Sequence, residues 1–189
     1  MRFAQLFNEE HLGSYDYSEA FKLASQSLIK GGWEVWLQVE WAKHLATRAG
    51  MSICNIQREE NYPNSREKCD FLIWYTYGAT LEHDATYVEL KCTNMFNKKT
   101  IAEAQTDALN RFASDIEKVA DKTDPALCIL VYYGDIGAAQ GYFSDRPLSE
   151  IHVLEYVQKG PKGTMVSRGN LAAPKINNQT NMFILGYEP

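Results

Sequence analysis

The chain has 189 residues, of which 45% are hydrophobic and 23% charged, and its formal net charge is -5. This composition is typical of a globular protein, and the length suffices for one sizeable core, so we expect a single domain over residues 1–189. No apolar run approaches the roughly 20 residues of a membrane span, and residues 1–10 lack the features of a signal peptide. The sequence therefore predicts a cytoplasmic protein without a membrane partner.

A helix is predicted over residues 33–49. Its helical projection places an apolar face on one side and three further apolar residues beside it: Val35, Val39, Ala42 and Ala46 on the face, with Leu37, Trp41 and Leu45 to its side. Glu40 falls on the polar side, whereas Glu34 and Gln38 fall within the apolar arc. A polar group inside an apolar stripe often marks a functional site, so this projection favours Glu34 as the helix carboxylate. The alternative for Glu40 is that it is a solvated surface residue of the helix.

Two strand-like runs follow, and they carry the charged residues of greatest interest. The first covers residues 69–75 and includes Asp70, and the second covers residues 86–92 and includes Glu89-Leu90-Lys91, the only acidic-x-Lys triplet in the chain. Side chains alternate between the two faces of a strand, so Glu89 and Lys91 share one face. A carboxylate and an ammonium in a sheet are costly unless they are paired or hold a metal.

The register of these two strands decides whether their carboxylates can meet. An antiparallel hairpin about a turn near Leu81 places Asp70 opposite Lys91 and Leu72 opposite Glu89. Asp70 and Glu89 are then diagonal neighbours with Cβ atoms roughly 7 to 8 Å apart, close enough for both to reach one hard cation. A slip of one residue would move Asp70 to the other face and destroy the site.

The rest of the chain contributes support and a candidate basic surface. Residues 100–120 read as a structural helix on which Asp107 with Arg111, and Asp115 with Lys118, are surface ion pairs. Between Tyr156 and Tyr187 there are four basic and no acidic residues, and two more lysines follow the second motif strand: Lys159, Lys162, Arg168 and Lys175, then Lys98 and Lys99. These side chains could hold a phosphate backbone, and a solvated hairpin is the equally weighted alternative.

The four cysteines lie in or beside predicted strands, and no two are spaced as a Cys-x-x-Cys pair: Cys54, Cys69, Cys92 and Cys128. Free cysteine behaves as a small core hydrophobe, so we expect buried reduced thiols rather than a disulfide.

Asp70 followed by Glu89-x-Lys91 on adjacent strands resembles the PD-(D/E)xK superfamily of restriction-endonuclease-like nucleases. The resemblance covers about residues 31–134, where the chain predicts the family's order of helix, three strands, helix and strand. The elements in that order are residues 33–49, 52–57, 69–75, 86–92, 100–120 and 126–133. The residue before Asp70 is Cys69, at the position where the family name has proline. Many members of the family also lack this proline. The resemblance implies an α/β fold with a central mixed sheet flanked by helices, an N-terminal helical extension over 1–30 and a C-terminal β-rich extension over 135–189.

The same resemblance implies a Mg²⁺-dependent nuclease, a hydrolase of phosphodiester bonds that favours DNA over RNA and serves in defence, in repair or as a toxin. Asp70, Glu89, the backbone carbonyl of Leu90 and Glu40 would hold the ion, and Mn²⁺ would substitute for it. Lys91 would orient the attacking water. Two alternatives stay open: a non-catalytic nucleic-acid- or protein-binding module that retains the fold, and a buried structural ion network. The oligomeric state is also open, with a homodimer among the options.

Overall fold

The computed structural model describes residues 1–26, 33–47, 53–76, 83–94, 100–173 and 180–189. In these residues a seven-stranded mixed sheet is covered by helices on both faces, which confirms the predicted α/β class. The helices are α1 (Phe3–Leu6), α2 (Ser18–Ser25), α3 (Trp33–Thr47), α4 (Ile101–Ala120) and α5 (Ile136–Tyr142). The strands are β1 (Ile53–Arg58), β2 (Phe71–Thr76), β3 (His83–Cys92), β4 (Ala126–Gly134), β5 (Ile151–Lys159), β6 (Lys162–Asn170) and β7 (Asn181–Tyr187).

The helices and strands predicted from hydrophobic period all occur within a few residues of their expected bounds. Helix α4 begins where a cap is available, because the Thr100 side chain accepts a hydrogen bond from the Glu103 backbone N–H. Helix α3 ends at Thr47, and the predicted end at residue 49 lies outside the described residues. None of the helices in the described stretches is both long and apolar enough to cross a bilayer.

The sheet runs in the order β1-β2-β3-β4-β7-β5-β6, with β3 and β4 parallel and the other neighbours antiparallel. Leu72 opposes Tyr87 rather than Glu89, so the predicted β2–β3 register is wrong by two residues. The pairing ends at Thr76 with His83, and the predicted turn near Leu81 lies outside the described residues. An offset of two preserves the alternation of faces, so the predicted sidedness of Glu89 survives the error.

One face of the sheet packs on α1, α2 and α3, and the other on α4 and α5. On α3 the predicted apolar face is wrong, because Val35 and Val39 are 48% and 46% exposed. The buried residues are instead Trp33, Leu37, Gln38, Trp41 and Leu45. Tryptophan and leucine at four-residue steps bury more apolar area than valine and alanine do, and they determine which side of the helix faces the sheet.

Strand β6 forms the edge of the sheet, and three strands separate it from β3. At about 4.8 Å per strand, β6 lies roughly 19 Å from β3. Arg168 on β6 pairs with Glu155, its Nε 2.6 Å from the carboxylate Oε2. The basic side chains of this hairpin that the structure describes, Lys162 and Arg168, are therefore remote from β3, which favours the solvated hairpin. Lys98, Lys99 and Lys175, and the Lys159 side chain, lie outside the described residues.

Candidate functional site

Four oxygen atoms surround the ammonium of Lys91 near the end of β3. Lys91 Nζ lies 3.2 Å from Asp70 Oδ2, 3.9 Å from Glu89 Oε2 and 3.3 Å from Asp115 Oδ2. It also donates a hydrogen bond of 3.2 Å to the backbone carbonyl of Leu90. The structure thus brings Asp70, Glu89 and Lys91 together on one face of the sheet.

Asp70 is the residue directly before β2, and its side chain extends into this cluster. Its Oδ2 accepts hydrogen bonds from the Leu90 backbone N–H at 2.7 Å and from Lys91 Nζ at 3.2 Å. The carboxylate therefore bridges to the motif strand through both a backbone and a side-chain donor. The backbone donor of Leu90 restrains the Asp70 side chain, because it belongs to the rigid strand β3.

Glu89 is held by two groups that sequence reasoning missed. It is only 3% exposed, and its Oε1 accepts hydrogen bonds from the Tyr62 hydroxyl at 2.8 Å and from Lys118 Nζ. Tyr62 lies in the β1–β2 connection and stacks on Tyr87, with ring centroids 4.8 Å apart. Burial together with the Glu89 charge raises the pKa of Tyr62 above its ordinary value, so the phenol keeps its proton for this hydrogen bond.

Asp115 and Lys118 belong to this cluster, so the prediction that they form a surface ion pair with each other is wrong. Asp115 is 9% exposed, and burial raises its pKa to about 6 although Lys91 acts in the opposite direction. A signal for this was present in the sequence, because Asp115 lies three residues after Phe112 and four before Val119 on the buried stripe of α4. The criterion that singled out Glu34, a polar residue within an apolar stripe, also selects Asp115.

The two helix glutamates occupy different surroundings. Glu34 Oε2 accepts hydrogen bonds from the Cys92 backbone N–H at 2.9 Å and from Arg111 Nη1 at 3.2 Å. Glu40 instead pairs with Lys43 at 3.9 Å, and a third of its side chain is exposed. The geometry therefore places Glu34 beside the cluster, as the projection favoured. Glu40, which the resemblance favoured as a metal ligand, lies on the outer side of α3.

The protonation of Lys91 follows from its neighbours. Burial disfavours the ammonium, but the charges of Asp70 and Asp115 outweigh that effect and raise the pKa of Lys91 above its ordinary value. Lys91 is therefore a fixed positive charge at neutral pH. It can stabilise developing negative charge or orient a water, and it cannot serve as a general base while its carboxylates stay ionised.

The oxygen atoms of this cluster are of the chemical type that binds a hard divalent cation. Carboxylate and carbonyl oxygens are the ligands that Mg²⁺ and Mn²⁺ prefer. Asp115 Oδ2 is buried and, among the described residues, has an ion pair with Lys91 but no hydrogen bond. In the described ranges no three His, Cys, Asp or Glu side chains are already arranged as a metal-holding group. The ammonium of Lys91 lies among these oxygens at 3.2 to 3.9 Å, so a metal could share them only if Lys91 moved aside.

Comparisons with protein-family models, with curated proteins and with solved structures find no match. The three cysteines whose side chains are described, Cys69, Cys92 and Cys128, are buried free thiols, as predicted. The Cys54 side chain lies outside the described residues.

Proposed function

We propose that this protein is a metal-dependent nuclease that hydrolyses phosphodiester bonds of nucleic acid, with DNA favoured over RNA. The observation that carries the proposal is the meeting of Asp70, Glu89 and the Leu90 carbonyl around Lys91, from two adjacent antiparallel strands. The succession α3, β1, β2, β3, α4 and β4 along the chain supports the resemblance to the PD-(D/E)xK superfamily. A restriction-endonuclease-like core is part of this proposal.

Asp70, Glu89 and the Leu90 carbonyl would hold Mg²⁺ or Mn²⁺. When bound, the ion would polarise a phosphate oxygen and lower the pKa of a water. Tyr62 and Lys118 fix the Glu89 carboxylate through Oε1, which leaves Oε2 directed at the cluster. Glu40 does not enter the proposal, because its carboxylate pairs with Lys43 on the outer side of α3.

The substrate would approach from the side of Asp70 and Lys91. Their side chains are 17% and 18% exposed, whereas the Glu89 side chain is 4% exposed beneath Tyr62. Lys91 would orient the attacking water and offset the negative charge that develops on the phosphorus, as a fixed ammonium can.

A second candidate is a binding module that retains the fold without catalysis. One observation favours it: Glu89 is paired with Lys118 and covered by Tyr62, so its charge is already compensated. A binding module, however, gains nothing from a third carboxylate, Asp115, which burial makes harder to ionise than it would be in water. We therefore rank the nuclease first.

A cleavage assay decides between these candidates. Purified protein is incubated with single- and double-stranded DNA and RNA of one sequence, with Mg²⁺, Mn²⁺ or EDTA. We expect cleavage with either ion, none with EDTA, and faster cleavage of DNA. Asp70→Asn and Lys91→Met should abolish it. Wild-type protein that binds nucleic acid but never cuts it would establish the binding module, and protein that does neither would favour a structural ion network.

The free thiols of Cys69, Cys92 and Cys128 support a reducing, cytoplasmic location as part of the same proposal.

A further inference from the structure

Asp115 stands apart from the other groups around Lys91. Three of the four oxygens near Lys91 Nζ come from Asp70, Glu89 and Leu90, the groups that would hold the metal. The fourth comes from Asp115, which lies on helix α4 across the interface with the sheet. Lys91 Nζ is nearly equidistant from Asp70 Oδ2, at 3.2 Å, and from Asp115 Oδ2, at 3.3 Å. Lys91 therefore already contacts both carboxylates, and it would keep the contact with Asp115 if it lost the one with Asp70.

Asp115 has no other evident role in the fold. Its Oδ2 is buried and makes no hydrogen bond in the part of the chain that the structure describes. The ion pair with Lys91 is the main compensation of its charge, and Lys118 contributes a smaller part. A buried carboxylate is costly to retain for packing alone, since an apolar side chain of similar volume would pack on Phe112 and Val119 at lower cost. The position of Asp115 is best explained by what it does to Lys91.

We propose that Asp115 is a positioning residue that retains the Lys91 ammonium when a divalent cation takes the oxygens of Asp70, Glu89 and Leu90. This inference depends on the proposed nuclease function. Two cations cannot share those oxygens without strong repulsion, so a bound metal would displace Lys91 from them, and Asp115 would keep the ammonium beside the reacting phosphate. Without Asp115, the ammonium has no buried acceptor and competes with the metal instead.

The competition predicts a coupling between Lys91 and Asp115 that can be measured without cleavage. Mn²⁺ affinity is determined by calorimetry on the full chain for the wild type, Lys91→Met, Asp115→Asn and the double variant. Lys91→Met should tighten Mn²⁺ binding about tenfold, because it removes the competing cation. Asp115→Asn should weaken Mn²⁺ binding at least about fivefold when Lys91 is present, and less than about twofold in the Lys91→Met background.

Two further variants separate positioning from general damage. Asp115→Glu keeps the charge and should retain wild-type affinity within about threefold. Glu117→Gln removes a neighbouring acid on the exposed side of α4 and should leave affinity unchanged. Equal weakening by Asp115→Asn in both backgrounds would overturn the inference, because it would mean that Asp115 binds the ion directly or supports the fold. So would unchanged affinity in Asp115→Asn.

The failure of this inference is distinguishable from the failure of the proposed function. A wild-type protein that binds Mn²⁺ and cleaves nucleic acid, but whose Lys91 and Asp115 variants are additive, overturns the role of Asp115 alone. A wild-type protein that neither binds Mn²⁺ nor cleaves overturns both.

Discussion

Two buried glutamates, Glu89 on β3 and Glu155 on β5, have similar exposures of 3% and 8% but different surroundings. Glu155 accepts hydrogen bonds from Arg168 Nε at 2.6 Å and from Asn181 Nδ2 at 3.1 Å. One carboxylate there meets one cation and one neutral donor, and the pair is electrically neutral. This is the minimum that a buried acid needs in order to be tolerated in a sheet.

The surroundings of Glu89 exceed that minimum. Among the residues that the structure describes, five carboxylates are grouped with three cations through direct ion pairs or the backbone of β3, which leaves a surplus of two negative charges: Glu34, Asp70, Glu89, Asp107 and Asp115 with Lys91, Arg111 and Lys118. Within the same residues, Asp115 also keeps an oxygen without a hydrogen bond. A network selected only for stability has no reason to keep either feature. Burial alone therefore does not distinguish Glu89 from Glu155, whereas the surplus charge around Glu89 does.

The strongest test of this contrast uses isosteric substitutions at both glutamates. Asp70→Asn and Glu89→Gln should each lower cleavage at least about 1,000-fold, a loss of roughly 4 kcal/mol of transition-state stabilisation, because a neutral amide cannot hold the metal. Glu155→Gln should leave cleavage within about twofold and lower the free energy of unfolding by about 1 kcal/mol, as it weakens a charged hydrogen bond. Cleavage rates and urea unfolding curves of all three variants measure both effects.

Equal loss of cleavage in Glu155→Gln and Glu89→Gln would remove the distinction between the two regions, because it would show that activity depends only on the integrity of the sheet.

The two strands that carry this contrast also show what sequence can predict. Alternation along β3 places Glu89 and Lys91 on one face whatever the pairing. The predicted register is wrong by two residues, and an even offset keeps Asp70 on that same face, so the predicted cluster is present. The sequence has no comparable signal for the register in which β2 pairs with β3. Asp115 was missed for a different reason. Its place on the buried stripe of α4 was visible, but the packing of α4 over Lys91 is a tertiary fact.

The glutamates of α3 are the next test, and here geometry and resemblance give opposite answers. Glu34→Gln should lower cleavage about tenfold, roughly 1.4 kcal/mol, because it weakens the contact with Arg111 and the Cys92 backbone at the end of β3. Glu40→Gln should change cleavage less than about twofold, since the residue pairs with Lys43 at the surface. If Glu40→Gln has the larger effect, α3 presents a different face during the reaction.

Tyr62 tests how tightly Glu89 must be held. Tyr62→Phe removes the hydroxyl that donates to Glu89 Oε1 and keeps the ring that stacks on Tyr87. We expect the free energy of unfolding to fall by about 1 kcal/mol, the usual net value of such a hydrogen bond. Cleavage should fall several-fold with little change in substrate affinity, because the loss affects the orientation of a metal ligand. Thermal unfolding and steady-state kinetics separate these effects. A change confined to substrate affinity would place Tyr62 at the substrate instead.

The finest test is the pH dependence of stability, for which Asp115 in the cluster and the exposed Asp16 before α2 have opposite signs. Hydrogen bonds from Ser18 and Gly163 lower the pKa of Asp16 despite slight burial, so Asp16 stabilises the fold above its unfolded pKa and loses that contribution as pH falls. Asp16 is exposed, and the effect should be a few tenths of a kcal/mol.

Burial raises the pKa of Asp115 to about 6, so the unfolded chain releases this proton first and the fold loses stability as pH rises from about 4 to 6. The melting temperature of the wild type, measured relative to Asp16→Asn, should therefore rise with pH below about pH 4. Measured relative to Asp115→Asn, it should fall as pH rises from about 4 to 6. If wild type and Asp115→Asn keep parallel profiles, Asp115 is not buried against the cluster as the structure has it, and the surplus charge that distinguishes this region from Glu155 is absent.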